Sequence, residues 1–217
     1  NERAGEMENL TFWSLVPNGK GYLRADEAGA RAVAVFAAAS ETFSQKNIGR
    51  SIEDSLDEYA QVVKLALADG CRVRGYVSTV THCPYEGRIS PDAVLSVAEQ
   101  LFAMGCEEVS LGETLGRAEP ADIDALLNQL IPTLSAEKLA GHFHDTSGHA
   151  IENVAVALAH GLRAFDSSAA GLGGCPFAPG AAGNVATETL VRFLDVEGYL
   201  TGIDADKIAT AGQKLRE

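Results

Sequence analysis

The sequence predicts an α/β fold in which a parallel sheet is covered by helices. Short apolar runs alternate along the 217 residues with longer segments of helical periodicity, and this alternation is typical of repeated strand–helix units. The predicted strands are Phe12–Val16, Ala32–Phe36, Arg72–Val80, Glu108–Leu111, Leu139–His144 and Leu162–Ser168. Because the connections between successive strands cross over as helices, we expect the strands to lie parallel in one sheet.

Capping residues mark where the helices begin and end. Ser51 can cap a helix that stops at Gly70, and Ser90 with Pro91 opens another that stops at Gly105. Further helices are predicted from Glu119–Pro120 onward, from Ile151 to Gly161, over Val185–Gly198 and over Asp204–Leu215. Apolar residues three and four positions apart give these segments a face to bury against the sheet.

Two architectures fit this order, an open doubly wound sheet and a closed (β/α)8 barrel. The segment Gly171–Pro176 starts like a dinucleotide-binding fingerprint, but Pro176 stands where the third glycine is needed. A closed barrel needs about 250 residues and eight strands, whereas six strands are predicted here. We therefore expect a TIM (β/α)8 barrel that lacks about its first two strand–helix units, forming one catalytic domain over residues 1–217.

The charge balance excludes several classes of partner. Seventeen basic and thirty acidic side chains give a net charge of −13, which disfavours nucleic acid and anionic membrane surfaces. No apolar run reaches the roughly 20 residues of a membrane span, and the N-terminal residues lack the layout of a signal peptide. Four scattered cysteines make no disulfide or zinc pattern, so we expect a reduced, cytoplasmic protein.

The clearest functional signal is His142-Phe-His144-Asp145, at the end of a predicted strand. Alternation places both imidazoles on one face, about 7 Å apart at Cα, so that both can bind one metal ion. In a barrel, inward residues at the carboxyl end of a strand face the active site. The alternative is a pair of polar residues that end the strand in water. We favour the metal site because apolar strands rarely place two histidines inward.

A glycine-rich loop follows the last predicted strand. Residues 170–184 include five glycines and two prolines, a composition that suits a loop able to move over a site. Cys175 lies within it, where a thiol can give or take a proton; the alternative is a plain turn with an incidental cysteine. Asn184 ends the loop and can add an amide oxygen to the two imidazoles, a set that suits Mg²⁺ or Mn²⁺ better than structural zinc.

Glu113 follows another predicted strand, in the segment Ser110-Leu-Gly-Glu113. It can act as a base or orient a substrate hydroxyl, or it can be a carboxylate favoured by a helix N-terminus, and the sequence alone favours neither. Cys83-Pro-Tyr-Glu-Gly87 has the composition of a turn and follows the third predicted strand. We expect this turn at the same rim, as a wall of the site.

Taken together, these segments resemble the 3-hydroxy-3-methylglutaryl-CoA lyase family, part of the metal-dependent lyase and Claisen-type synthase branch of TIM barrels. The resemblance covers nearly the whole chain, from Val16-Pro-Asn-Gly-Lys-Gly-Tyr22 to Gly183-Asn184. The His142-Phe-His144 pattern is shared by the whole branch, whereas Cys83-Pro-Tyr-Glu-Gly87 and Gly173-Gly-Cys-Pro176 are more specific to the lyases.

The resemblance implies cleavage of an acyl-CoA substrate, 3-hydroxy-3-methylglutaryl-CoA, to acetyl-CoA and acetoacetate, as in leucine breakdown. It implies a divalent cation, Mg²⁺ or Mn²⁺, held by His142, His144 and Asn184. Catalytic roles are implied for Cys175 as proton donor, for Glu113 and for His142. The implied substrate contacts are Asn18, Ser40, Arg74, Tyr76, Gly173 and Gly174. We further expect a homo-oligomer, most simply a dimer.

Two departures from the family pattern leave alternatives open. The family's arginine–aspartate pair of the first strand and glutamate of the second are not found in these residues, and Glu113 stands where the family usually has aspartate. One extra methylene can displace a carboxylate by about 1 Å, enough to cost ~100-fold in rate. The alternatives are a lyase for another 3-hydroxy-acyl-CoA, such as a longer branched 3-hydroxyglutaryl-CoA or citramalyl-CoA, and a non-catalytic metal-binding paralogue.

Overall fold

The computed structural model describes residues 10–174 and 183–216, and its main feature is a curled sheet of six parallel strands. The strands are β1 (Trp13–Leu15), β2 (Ala32–Ala38), β3 (Arg72–Ser78), β4 (His82–Cys83), β5 (Gly87–Arg88), β6 (Glu108–Glu113), β7 (Leu139–Phe143) and β8 (Ala164–Asp166). All except β4 and β5 belong to this sheet and pair in chain order. The predicted parallel sheet of a partial TIM barrel is therefore confirmed.

Helices connect the strands and cover the outside of the sheet. They are α1 (Gly19–Glu27), α2 (Glu41–Ile48), α3 (Ile52–Ala68), α4 (Pro91–Met104), α5 (Pro120–Leu130), α6 (Ala150–Ala159), α7 (Thr187–Val196) and α8 (Ala205–Arg216). The sequence predicts all of them except α1 and α2, which bury few apolar residues, mainly Tyr22 and Phe43. None of the helices in the described part of the chain has the length and apolar character needed to cross a membrane.

The predicted helix caps are confirmed in detail. Ser51 Oγ accepts a hydrogen bond from the backbone N–H of Asp54 (2.9 Å) at the start of α3, and such a cap contributes about 1 kcal/mol. Ser90 caps α4 in the same way, and α4 ends at Gly105, whose φ of 111° is costly for any other residue. The predicted turn Cys83–Gly87 closes a short antiparallel hairpin, since its two end residues pair with each other.

Alternation along the strands gives the sheet two different faces. On the outer face, Val33, Val77 and Leu111 are buried in the hydrophobic core beneath the helices. Leu101 of α4 packs so closely here that a Cβ added to Gly75 would lie 3.0 Å from its Cδ1, and burial of such a side chain contributes roughly 1.5–3 kcal/mol. The inner face carries most of the polar side chains of β3, β6, β7 and β8, and it forms the wall of the barrel lumen.

The sheet remains open on one side in the part of the chain that the structure describes. The outermost strands, β1 and β8, each have three residues and do not pair with one another.

Candidate active site

A cavity of about 490 Å³ lies inside the curled sheet and reaches the carboxyl ends of its strands. Its walls combine aromatic and polar side chains, among them Phe36, Tyr76, His142 and His144. A larger cavity of about 620 Å³ opens between β8 and α7, but no histidine lines it. The smaller cavity is therefore the one that holds the predicted metal-binding histidines.

His142, His144 and Asn184 converge at this end of the lumen. His142 lies on β7 and His144 just beyond it, with ring centroids 5.5 Å apart. This separation allows one nitrogen of each ring to reach a common ion, because metal–nitrogen bonds are about 2.1 Å long. Asn184 pairs with His144 in an isolated β-bridge. Its amide Nδ2 donates to the Leu172 carbonyl (3.2 Å), so Oδ1 is the atom left for a cation.

The donor set fits a divalent cation of the magnesium or manganese type. It consists of two imidazole nitrogens and one amide oxygen, and Mn²⁺ in particular accepts both kinds of ligand. Burial and the neighbouring His142 lower the pKa of His144 to about 4, so His144 is neutral at pH 7, as a metal ligand must be. Within residues 10–174 and 183–216, no cluster of three or more His, Cys, Asp or Glu side chains could hold a metal on its own.

Asp166, the last residue of β8, links three other strands of the sheet. Its carboxylate accepts hydrogen bonds from Arg74 Nη1 (2.7 Å), Ser110 Oγ (2.7 Å) and His142 Nδ1 (3.1 Å). Burial opposes ionisation, but the hydrogen bond from His142 and the charge of Arg74 lower the pKa of Asp166 to about 2. The sequence analysis missed Asp166 as a site residue. Its position in the sheet could have identified it, because Asp166 is the residue of β8 that pairs with His142.

Arg74 lies on the inner face of the sheet, where its Nη1 makes two hydrogen bonds. Besides Asp166, its Nη1 donates to the Tyr76 hydroxyl (2.8 Å), and its Nε lies 2.6 Å from a carboxylate oxygen of Glu108. Burial opposes the charge of the guanidinium, yet Asp166, Tyr76 and Glu108 keep its pKa raised. In this structure Arg74 therefore orders the side chains of the inner face, and its expected contact with substrate stays a prediction.

Tyr76 lines the cavity beside the histidines, as a substrate contact requires. Its ring meets the ring of His142 edge-on, with centroids 6.0 Å apart and an interplanar angle of 86°. Burial raises the pKa of its hydroxyl to about 12, so Tyr76 is neutral at pH 7. The ring therefore forms a fixed, uncharged wall next to His142.

Asn18 and Ser40 follow β1 and β2 at the same rim, but both side chains serve as helix caps. Asn18 Oδ1 accepts from the N–H of Gly21 (2.9 Å) at the start of α1. Ser40 Oγ accepts from the N–H of Phe43 (3.0 Å) and lies 2.9 Å from Cys83 Sγ, with the residue 0% exposed. The hydroxyl of Ser40 is thus buried and engaged in this structure, and the expected substrate contacts of Asn18 and Ser40 stay predictions. Sequence reasoning missed these caps because it did not predict α1 and α2.

Glu113 ends β6 but faces away from the cavity. Ser110 and Gly112 point into the lumen, so alternation turns Glu113 to the helix side, where it is 0% exposed. Thr81 Oγ1 donates to its Oε1 (3.2 Å). Burial raises the pKa of the carboxyl, although the N–H groups of residues 116–118 oppose this rise. The carboxylate of Glu113 therefore lies on the helix side of the sheet and not in the cavity. Alternation counted from Gly112 gives this direction, and whether Glu113 acts in catalysis is a question for the variant Glu113→Gln.

The two ends of the glycine-rich loop cross beside Asn184. The backbones of Gly173 and Gly183 are so close that a side chain on Gly183 would collide with the Gly173 carbonyl. We call this crossing the loop neck. The carbonyl of Gly183 also accepts a hydrogen bond from the N–H of Asp145 (3.0 Å), which ties the neck to the chain leaving β7. Gly173 and Gly174 are exposed here. Cys175 lies outside the described residues, so its role stays a prediction.

Comparison with known proteins gives consistent matches along nearly the whole chain. The HMGL-like family profile matches residues 7–215. The hydroxymethylglutaryl-CoA lyase of Pseudomonas mevalonii is 49% identical over 208 residues, which cover 96% of this chain and 69% of that protein.

Solved structures agree with these matches. The HMG-CoA lyase of Brucella melitensis superposes with a TM-score of 0.93 at 49% identity, over 95% of this chain and 73% of that chain. An HMG-CoA lyase from Acinetobacter baumannii, solved in complex with coenzyme A and 3-methylmalate, superposes with a TM-score of 0.90 at 35% identity, over 96% of this chain and 68% of that chain. This chain thus spans about seven tenths of the length of these relatives.

Proposed function

This chain belongs to the HMGL-like family, and we infer that it is a carbon–carbon lyase that cleaves 3-hydroxy-3-methylglutaryl-CoA to acetyl-CoA and acetoacetate. The observation that carries this function is the convergence of His142, His144 and Asn184 at one end of the lumen. The relatives named above are lyases for this substrate, which favours the reaction over a non-catalytic paralogue. The relative solved with coenzyme A and 3-methylmalate supports an acyl-CoA substrate.

We propose that His142, His144 and Asn184 hold a divalent cation, Mg²⁺ or Mn²⁺. When bound, the cation polarises the hydroxyl and a neighbouring oxygen of the substrate and offsets the charge that develops as the carbon–carbon bond breaks. His142 has one ring nitrogen bonded to Asp166 and therefore a single nitrogen for this purpose. We accordingly assign His142 to the cation and not to proton transfer.

The bond that breaks joins the carbinol carbon to the CH₂ group beside the thioester. As the hydroxyl proton passes to a water molecule acting as the base, the electron pair of that bond passes to the CH₂ carbon, and the resulting acetyl-CoA enolate needs one proton. We propose the Cys175 thiol as the donor, because Cys175 follows Gly174 directly and the loop neck lies beside Asn184. Solvent returns a proton to the thiolate, so the hydroxyl proton lost to water in the first step balances the proton that the thiol gives. Tyr76, Gly173 and Gly174 remain the proposed substrate contacts.

The test is the release of acetoacetate from 3-hydroxy-3-methylglutaryl-CoA by the purified protein, with added Mg²⁺ or Mn²⁺ and with a chelator. We expect release only with the cation. His144→Ala should lower both Mn²⁺ affinity and turnover by about 100-fold or more, because one of the three ligands is lost. His149→Ala is the matched control, since His149 lies in the next loop and pairs with Glu152; it should leave both quantities unchanged.

Two results would contradict this function. Release that is insensitive to the chelator would remove the cation from the reaction, and full activity of His144→Ala would remove this ligand set. Citramalyl-CoA and a longer branched 3-hydroxyglutaryl-CoA are measured in parallel. Faster cleavage of either would assign the site to that substrate.

We propose, on the sequence resemblance alone, that the protein is a cytoplasmic homodimer that acts in leucine breakdown. Sedimentation equilibrium tests the dimer, with a single species of monomer mass as the contradicting result. Cell fractionation tests the location. Growth of a deletion strain on leucine as sole carbon source tests the pathway.

A further inference from the structure

The carboxylate of Asp166 is held from three directions on the inner face of the sheet. Arg74 donates to Oδ1, while Ser110 and His142 both contact Oδ2. The donors come from β3, β6 and β7, so this one side chain of β8 fixes its position against three strands at once. The carboxylate of Glu108 also lies next to Arg74, 2.6 Å from its Nε, but it contacts neither Asp166 nor His142.

We propose that Asp166 is a positioning residue that holds His142 in the tautomer and orientation needed to bind the cation. A carboxylate accepts only a proton-bearing nitrogen, so the 3.1 Å contact requires the proton of a neutral His142 to sit on Nδ1. Nε2 is then left with its lone pair. This inference rests on the cation site proposed above, which needs that lone pair on the side of His144.

The arrangement also prevents the ring of His142 from turning. Its Nδ1 is tied to Asp166 on one side, and the ring of Tyr76 lies edge-on to it at 6.0 Å. Asp166 cannot follow a rotation, because Arg74 and Ser110 each hold one of its oxygens at 2.7 Å. A ligand fixed in this way loses less freedom on binding a cation, and removing a partner of this kind typically lowers metal affinity by about 10- to 100-fold.

The test compares Mn²⁺ affinity and the tautomer of His142 among four proteins: wild type, Asp166→Asn, Ser110→Ala and Glu108→Gln. Affinity is measured from the EPR signal of free Mn²⁺. The tautomer is read from ¹⁵N spectra of histidine side chains in the metal-free protein, with His142 assigned by its loss in a His142→Asn variant. Glu108→Gln is the control, since it also removes a negative charge next to Arg74 without touching His142.

We expect Asp166→Asn to bind Mn²⁺ about 10- to 100-fold more weakly and to shift His142 toward the Nε2–H form, because the asparagine amide can donate to Nδ1. Ser110→Ala keeps the carboxylate but removes one of its donors, and we expect a loss of a few-fold. Wild type and Glu108→Gln should share the Nδ1–H form and differ by less than threefold in affinity.

Unchanged Mn²⁺ affinity or an unchanged tautomer in a folded Asp166→Asn protein would overturn the inference. If Asp166→Asn does not fold, Ser110→Ala decides in its place, and wild-type affinity there would overturn it. Absence of Mn²⁺ binding in the wild type is a different outcome, since it would refute the proposed cation site. The tautomer measurement would then still decide whether Asp166 orients His142.

Discussion

Replacing Glu113 by glutamine tests whether the carboxylate of this residue has a structural or a catalytic role. The side chain is 0% exposed, Thr81 donates to its Oε1, and no described group donates a well-aligned hydrogen bond to Oε2. Glutamine has nearly the same shape and is neutral at every pH. The substitution therefore removes the ionisation of this residue while keeping its contacts, with the amide able to donate to Thr81 and accept from the N–H groups that follow β6.

The magnitude follows from the raised pKa of Glu113, whose largest cause is burial. As the pH rises above the ordinary value of 4.5, the unfolded chain ionises first and gains stability relative to the folded protein. The free energy of unfolding of the wild type should fall through this window, until the folded state ionises as well. Each unit by which the fold raises the pKa corresponds to about 1.4 kcal/mol, and the glutamine variant should not show this loss.

The assay is urea unfolding of both proteins at intervals from pH 4 to pH 8, with Glu137→Gln as the control at an exposed position. The difference in unfolding free energy, variant minus wild type, should grow as the pH rises and then become constant. Turnover of the variant should stay within about tenfold of the wild type, because Glu113 lies on the helix side of the sheet. A difference that is flat or shrinks with pH would refute the burial argument. A loss of 100-fold or more in turnover, the size expected for a lost general base, would place Glu113 at the reacting centre.

Two further predictions address the loop neck and a buried thiol. Gly183→Ala should weaken Mn²⁺ binding at least tenfold, because its Cβ would push the backbone away from the Gly173 carbonyl and move Asn184. Gly19→Ala is the control and should leave Mn²⁺ affinity unchanged, since its Cβ meets only an ordinary contact at 3.8 Å. Equal Mn²⁺ affinities of the two variants would contradict the neck geometry. Cys106 should resist alkylation by iodoacetamide at pH 8 in the folded protein and react in urea, because burial raises the pKa of its thiol to about 12. Peptide mass spectrometry measures the extent of alkylation, and rapid labelling of Cys106 in the folded protein would contradict this prediction.

Local sequence features predict the strands and most of the helices correctly because their causes are local. Ser51 and Ser90 cap the helices they precede, and the apolar runs that begin at Ala32 and Arg72 become β2 and β3. The sequence pattern does not predict α1 and α2 because they have few apolar residues of their own. Their stability comes from their caps and from tertiary packing, of α1 against α3 and of α2 against β2 and α3. Ser40 illustrates the consequence, because its hydroxyl caps a helix that the sequence pattern did not predict.

The candidate site could be predicted only in part, since some of its contacts depend on strand register. His142 and His144 are two residues apart, so their common face can be read directly from the chain. Asp166 reaches His142 only through the pairing of β7 with β8, which joins residues far apart in sequence. The direction of the Glu113 side chain can be derived only after Gly112 is assigned to the inner face of the sheet, because alternation then turns Glu113 to the outer face.

The loop neck has a consequence for how substrate preference can change in this protein. Asn184 is held by its bridge to His144 and by its hydrogen bond to Leu172, and both contacts lie outside residues 175–182. The main chains of Gly173 and Gly183 are in contact at the loop neck, so residues 175–182 are separated from the contacts of Asn184 with His144 and Leu172. Substitutions within residues 176–182 can therefore alter what the loop presents to an acyl chain while Cys175 and the spacing of the three proposed ligands are preserved. New specificities can thus arise at this position while the proposed cation site is kept.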